Sequence, residues 1–385
     1  MNRVRDPHPT GSYKVGTLVF SAVDDSRKAM FGPSAGTEPR KITGRLYYPV
    51  LASDAEGHPH AQIMSRNKAE ALAKSFYMKC DYDNEVAAGT YDGDFYEDVS
   101  PVPGEEFPLI IFDHGLGSYV ESNNLMCTEL CSHGYVVAAL GHAYEAIETD
   151  YEDQSYDLMD KTIAKRQYEP RIRGTIAALK LMVNKKGTYE EQYERLRMLQ
   201  EKYAGLLLKI LEQRVLDVKF MMSEIERRFS DRIDFSKGIG ITGHSMGGIV
   251  AYYLCQTDNR FVCGINIDGM LIGDYSGMTM KKPFYQISCE DNRGVVSKVM
   301  LDTEAPVYWS LFRNMKHLGF GDMIFKVPVK ALVGKMDPLK MHEYLCRIHL
   351  SFMGRYLKGT GEEVYNPDDE YVADLIARQG GAANA

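Results

Sequence analysis

Several things are scarce in this chain of 385 residues. It has one tryptophan, Trp309, and no apolar run long enough to span a bilayer. No transmembrane segment is therefore expected, and an aromatic anchor at a membrane has little to draw on. Cysteine is present seven times, an odd count without paired spacing, which argues against a disulfide framework. Cys127 and Cys131 share one helical face, but no further ligands stand near them. Apolar packing in a reducing compartment is expected, and a metal site is not. No single sign of charge dominates: the net charge is −8 with acids and bases intermixed, which disfavours a nucleic-acid partner. No internal repeat is evident. The stretch Met1–Pro9 lacks the apolar core of a secretory signal, so a cytoplasmic location is expected, with secretion open if a leader was removed.

What the chain does contain is a rhythm of strands and helices. Tyr13–Phe20 and Arg45–Val50 alternate apolar and polar residues around a loop with glycine and proline, which predicts a β-hairpin. Apolar runs at Leu109–Phe112, Tyr135–Leu140, Gly238–Thr242, Cys263–Ile267 and Pro283–Ser288 predict buried strands. Helical segments between them argue for a mostly parallel sheet with helices on both faces. Helices are predicted near 66–78 and from Ser122, and the acidic stretch Asp92–Asp98 reads as a solvated loop. Residues 160–229 interrupt the rhythm with helical spacing throughout. From Glu190 to Arg228, apolar residues such as Leu196, Leu199, Tyr203, Leu207 and Ile210 recur every three or four positions, and Gly187 separates this segment from the helix before it. The expected organisation is a single α/β domain over 1–385 with a helical insertion at 160–229 that packs on the core or forms a lid. The small, polar residues from Gln379 onward are expected to fray.

Residues 239–250 carry the chemistry. Gly243-His-Ser245-Met-Gly247 stands between an apolar strand and an apolar helix. Serine is a poor nucleophile at neutral pH, so an enzyme that uses it must expose Oγ beside a base. Gly243 and Gly247 leave room for a sharp strand-to-helix turn, and Gly248 lets the helix pack closely. This is the context that the nucleophile elbow of an α/β-hydrolase fold requires.

A serine nucleophile needs a base, an orienting acid and an oxyanion hole, and in this fold the acid and histidine follow the serine. His317, in a glycine-bearing loop, is the candidate base, whereas His342 and His349 lie in a helical pattern. Asp268 directly follows the strand Gly264–Ile267 and ranks first among the acids. Glu290 and Asp291 follow the next strand, and Asp337 comes after His317, out of order. Met246, next to the nucleophile, is the first expected oxyanion donor. Leu116, in His114-Gly-Leu-Gly117 after the strand Leu109–Phe112, is the second.

On these residues the chain resembles the platelet-activating factor acetylhydrolases of the plasma and intracellular type II kind. The matching stretches include Pro9–Gly16, Gly44–Pro49, Phe112–Gly117, Ser132–Ala139, Gly243–Gly248, Arg260–Gly269 and the His317 loop. They run in the same order over roughly 9–325. The resemblance implies an α/β-hydrolase with Ser245 as nucleophile, Asp268 as acid and His317 as base, and with Leu116 and Met246 as the oxyanion hole. It also implies cleavage of short or oxidised acyl chains from phospholipids without calcium. Met246 departs from the phenylalanine common in the family, and the helices over 163–210 look longer.

The expected activity is therefore hydrolysis of carboxylic esters, on a small-molecule or lipid ester. No metal or organic cofactor is called for, and peripheral membrane contact is compatible with the charged helices. Acyl transfer on the same scaffold, or a non-catalytic binding role, are the alternatives.

Overall fold

The computed structural model describes residues 6–378 except 167, 185, 276, 296–302 and 328. The frayed end expected from Gln379 lies outside the described residues. Contacts divide the chain into two compact units, Met1–Asp160 with Phe220–Ser236, and Lys161–Lys219 with Lys237–Ala385.

The first unit is built on the expected hairpin. Strands β1 (Lys14–Lys28) and β2 (Pro39–Val50) pair antiparallel, with Lys14 opposite Val50 and Asp24 opposite Arg40. Two further strands continue from them, β3 (His60–Gln62) and β4 (Asp92–Glu97); β4 runs parallel to β1 and antiparallel to β3. The acidic stretch read as a loop is thus a strand. Gly93 and Phe95 are buried while Asp92, Asp94 and Tyr96, which alternate with them, are more exposed, a two-residue period that the acids disguise. The wholly buried strands β5 (Leu109–Asp113) and β6 (Val136–His142) pair parallel, and β6 lies antiparallel to β2. A small separate hairpin joins β7 (Glu148–Asp150) and β8 (Tyr156–Leu158).

Among the described residues this part of the unit also holds four helices, of which Ala52–Ala55 and Tyr82–Ala87 are short. Helix α1 (Arg66–Ser75) starts where Ser65 Oγ accepts the Lys68 N–H, a side-chain cap. Helix α2 (Asn124–Ser132) starts two residues after the expected position. The first unit also buries an ionic cluster. Lys68 Nζ sits 2.9 Å from Glu121 and 2.6 Å from Asp150, and Arg45 Nε sits 3.1 Å from Glu121. Burial alone would raise the Glu121 carboxyl, but the two cations outweigh it and hold its pKa at about 2.

In the second unit the helical segment begins with α3 (Lys161–Arg166) and α4 (Arg171–Val183). Gly187 does separate α4 from α5 (Tyr189–Tyr203), whose start is fixed by a reciprocal cap between Thr188 and Glu191. The single helix expected from Glu190 onward is in fact two. Ala204 breaks it, and α6 (Gly205–Phe229) follows with glycine, a poor helix former, as its first residue. The division between the units falls within α6, after Lys219.

The sheet of this unit is mostly parallel. Strands β9 (Ile239–His244), β10 (Phe261–Ile267), β11 (Phe284–Cys289) and β12 (Val307–Phe312) follow one another in parallel pairs, and β13 (Val372–Arg378) closes antiparallel on β12. Near-continuous burial along β9 to β12 is what a sheet covered on both faces demands. Helix α7 (Met246–Thr257) connects β9 to β10. Helix α8 (Pro338–Met353) begins with Asp337 accepting the Lys340 N–H and proline at its first position. Among the described residues, no helix is long and apolar enough to cross a membrane.

Candidate active site

Ser245 stands between the last residue of β9 and the first of α7, with φ 57° and ψ −117°. A non-glycine residue in this region is strained by about 1–3 kcal/mol. The surroundings hold it there. Its N–H donates to Ile267 O at 2.8 Å, and its own carbonyl accepts the Ile249 N–H. Close packing enforces the turn: a Cβ at position 248 would lie 1.9 Å from Asn266 Oδ1, so only glycine fits.

Asp268 follows β10 and also has a positive φ, 57°. It is fully buried. Its Oδ1 accepts the Cys289 N–H at 2.8 Å, and its Oδ2 accepts Asn292 Nδ2 at 2.8 Å. The Cys289 thiol lies 3.3 Å from the same Oδ2. Burial, and then the neighbouring carboxylate, push that thiol far up, so it stays protonated and donates. Asn266 locks the turn beyond Asp268, accepting the Gly269 N–H at 2.8 Å and donating to Gly269 O at 3.0 Å.

His317 opens a short 3₁₀ turn, His317–Phe320. Its Nδ1 lies 2.7 Å from Asp268 Oδ2 and its Nε2 lies 2.9 Å from Ser245 Oγ. With N–H donors on both of its oxygens, the carboxylate presents acceptor capacity to the ring, so Nδ1–H donates. Nε2 is then left with a lone pair facing the serine hydroxyl. The structure thus brings together Ser245, Asp268 and His317 in one hydrogen-bonded line.

The competing residues lie elsewhere. Asp291 Oδ2 is held by Lys316 Nζ at 2.5 Å. Asp337 caps α8. His349 is buried in α8, with Nδ1 donating to Leu345 O at 2.7 Å and Nε2 2.9 Å from Thr242 Oγ1 on β9. Burial pushes its pKa down to about 4, so it is a neutral brace for the strand that precedes Ser245.

Met246 is buried and is the first residue of α7, so its N–H has no carbonyl one turn back within the helix. Leu116 belongs to the first unit, half-buried on the turn after β5. The neighbouring turn hydrogen bonds run from Gly117 N–H to Glu145 O and from Ser118 N–H to Gly115 O, and neither uses the Leu116 N–H. Among the described residues, no group of three or more His, Cys, Asp or Glu side chains is arranged to hold a metal ion.

His244 was not singled out by sequence reasoning. Its ring lies 4.6 Å from that of His317, and its Nε2 donates to the His317 carbonyl at 3.0 Å. Burial and the neighbouring His317 push its pKa down to about 3, which keeps it neutral. It therefore anchors the backbone of the His317 turn without adding charge. Asn292 and Cys289 were also missed, because their roles exist only once the β11 end folds over Asp268. The variable position before the serine in Gly-x-Ser-x-Gly was the one available signal, since histidine there can donate a hydrogen bond.

Comparison with known proteins gives the chain a family and a fold. The profile of the family described as platelet-activating factor acetylhydrolase, isoform II, matches residues 1–353. The platelet-activating factor acetylhydrolase of Bos taurus is 30% identical over 307 residues, covering 74% of this chain and 60% of that protein. The Cavia porcellus protein of the same name is 26% identical over 274 residues, covering 66% of this chain and 58% of its own length. The matched region thus spans less than two thirds of either relative. The Gallus gallus protein of that name is 23% identical, with 86% of this chain and 89% of that one covered. A solved ferulic acid esterase from Streptomyces cinnamoneus superposes with a TM-score of 0.69 at 19% identity, covering 94% of this chain and 96% of its own. That likeness establishes the fold. The chain has the α/β-hydrolase fold and belongs to the family of platelet-activating factor acetylhydrolase, isoform II.

Proposed function

We propose that the chain is a serine hydrolase of carboxylic esters, with Ser245 as nucleophile, His317 as base and Asp268 as orienting acid. The observation that carries this reading is the line from Ser245 Oγ to His317 Nε2 at 2.9 Å and from His317 Nδ1 to Asp268 Oδ2 at 2.7 Å. His317 Nε2 takes the hydroxyl proton as Oγ attacks the ester carbonyl. The tetrahedral intermediate collapses, and the leaving alkoxide takes the proton from Nε2. Water, deprotonated by Nε2, then attacks the acyl-enzyme, and the second collapse frees the carboxylic acid and restores Ser245. Asp268 holds Nδ1 protonated and stabilises the imidazolium formed in each half-reaction. The Met246 N–H, at the helix start, faces the developing oxyanion as a donor.

The relatives' shared name points to an acetyl ester, so short acyl esters, including those of lipids, are the proposed substrate class. Turnover of a series of p-nitrophenyl esters tests it. Acetate and butyrate should be cleaved better than long-chain esters, and Ser245→Ala should lower turnover by about three orders of magnitude or more. Wild-type-like turnover in that variant would remove Ser245 from the chemistry.

A further inference from the structure

One segment departs from the mixed charge of the chain. Residues 161–186 carry eight Lys or Arg against a single acid, Glu169, in a protein whose net charge is −8. The segment contains α3 and α4, and α4 is amphipathic in an unusual sense. Ile172, Ile176 and Leu179 are 75%, 48% and 56% exposed. At about 100° per residue these three fall within about 60° of one helix face. Gly174 and Ala178, on the opposite side, are buried. A Cβ at position 174 would meet Tyr168 and Tyr203, which shows how closely that inner face is packed. The apolar stripe therefore points away from the unit's interior. Arg173 and Lys180 flank it on one side and Arg171 on the other, all three exposed.

We propose that the outer face of α4 docks on an anionic lipid surface, with Ile172, Ile176 and Leu179 entering the headgroup region and the flanking cations binding lipid phosphates and carboxylates. An exposed apolar stripe bordered by basic residues is the pattern of a helix that lies in a membrane interface. Lys161 and Lys165 of α3 are exposed as well and extend the basic field. Charge complementarity selects an anionic surface over a neutral one. A second copy of the chain fits less well: three side chains spread over about 10 Å of helix offer far less than the roughly 800 Å² per partner that a stable dimer buries. Nucleic acid would use the cations but leave the apolar stripe in water. This inference stands independently of the proposed catalytic chemistry.

The test is co-sedimentation with vesicles of phosphatidylcholine alone and of phosphatidylcholine with roughly 30 mol% phosphatidylserine, at low and at physiological salt. Binding to the phosphatidylserine vesicles should be roughly tenfold stronger or more, and should weaken as salt rises. Ile172→Gln/Ile176→Gln/Leu179→Gln and Arg171→Gln/Arg173→Gln/Lys180→Gln should each cut that binding by about tenfold or more. Thermal unfolding followed by circular dichroism serves as the fold control. The six side chains are exposed, so both triple variants should melt near the wild-type temperature whether or not the protein proves to be an esterase. Binding that is equal on the two vesicle types, absent from both, or unchanged in the variants overturns the proposal. So does a concentration-dependent dimer in sedimentation velocity that the apolar variant dissolves, or duplex DNA outcompeting the vesicles.

Discussion

Asp268→Asn is the sharpest perturbation of the site, because the structure dictates how it must fail. The carboxylate is fully buried and receives Cys289 N–H on Oδ1, and Asn292 Nδ2 and His317 Nδ1 on Oδ2. An asparagine amide has one oxygen and one NH₂ for these positions. If its oxygen stays with the Cys289 N–H, the NH₂ faces Asn292 and His317. The imidazole then turns to the tautomer with its proton on Nε2, which cannot accept the Ser245 proton. In the flipped amide, the NH₂ meets the Cys289 N–H and leaves a buried donor unsatisfied, at about 1–3 kcal/mol. Either orientation degrades the site, and the first is favoured because it strands no backbone group. The expected fall in kcat is about 10⁴-fold, equivalent to about 5.5 kcal/mol of transition-state stabilisation. KM should change little, because no ester contact is removed. Initial rates on p-nitrophenyl butyrate give both quantities. Asp291→Asn is the matched control, since that carboxylate pairs with Lys316, and it should remain within a few-fold of wild type. Less than a tenfold loss for Asp268→Asn, or a larger loss for Asp291→Asn, would refute the tautomer argument.

Other consequences follow from the same geometry. His244→Phe removes the donor to the His317 carbonyl and should lower kcat by about tenfold, while His244→Gln should recover part of the loss; equal rates in the two variants would contradict an anchoring role. Gly248→Ala drives a methyl against Asn266 Oδ1 and should destabilise the fold by about 1–3 kcal/mol in urea unfolding, and an unshifted midpoint would contradict the close packing. Glu121 is held at about 2, below its ordinary 4.5, so its stabilisation is complete above about pH 4.5 and is lost as pH falls towards 2. That contribution is about 3 kcal/mol. Glu121→Gln should lower stability at pH 6 and flatten its decline between pH 5 and about 2.5, and an unchanged slope would contradict the ionic cluster.

Much of this site was legible in the chain because its signals are local. A glycine-flanked serine between an apolar strand and an apolar helix can form only a narrow range of turns. An aspartate that ends a buried strand has little freedom of position. The glycine-bearing loop around His317 then selected it over His342 and His349, which lie in a helical pattern. The unread features depend on contacts between distant segments. Asn292 and Cys289 reach Asp268 across the end of β11, and nothing in their own neighbours announces it. His244 was hidden as a variable motif position. Strand β4 was obscured because its outward positions include acids, although the inward Gly93 and Phe95 keep a strand's period. The α5–α6 break was missed because apolar spacing continues across Ala204 and Gly205, so periodicity alone reads one helix. The basic run over 161–186 was averaged away in the total charge.

The central claim is that an imidazole at 317 activates the hydroxyl of Ser245. Reaction with a fluorophosphonate, followed by peptide mass spectrometry, tests it most directly. The account predicts one phosphonyl adduct, on the peptide that contains Ser245, and near-complete loss of labelling in His317→Asn. An unlabelled folded protein, an adduct on another residue, or undiminished labelling without His317 would contradict it.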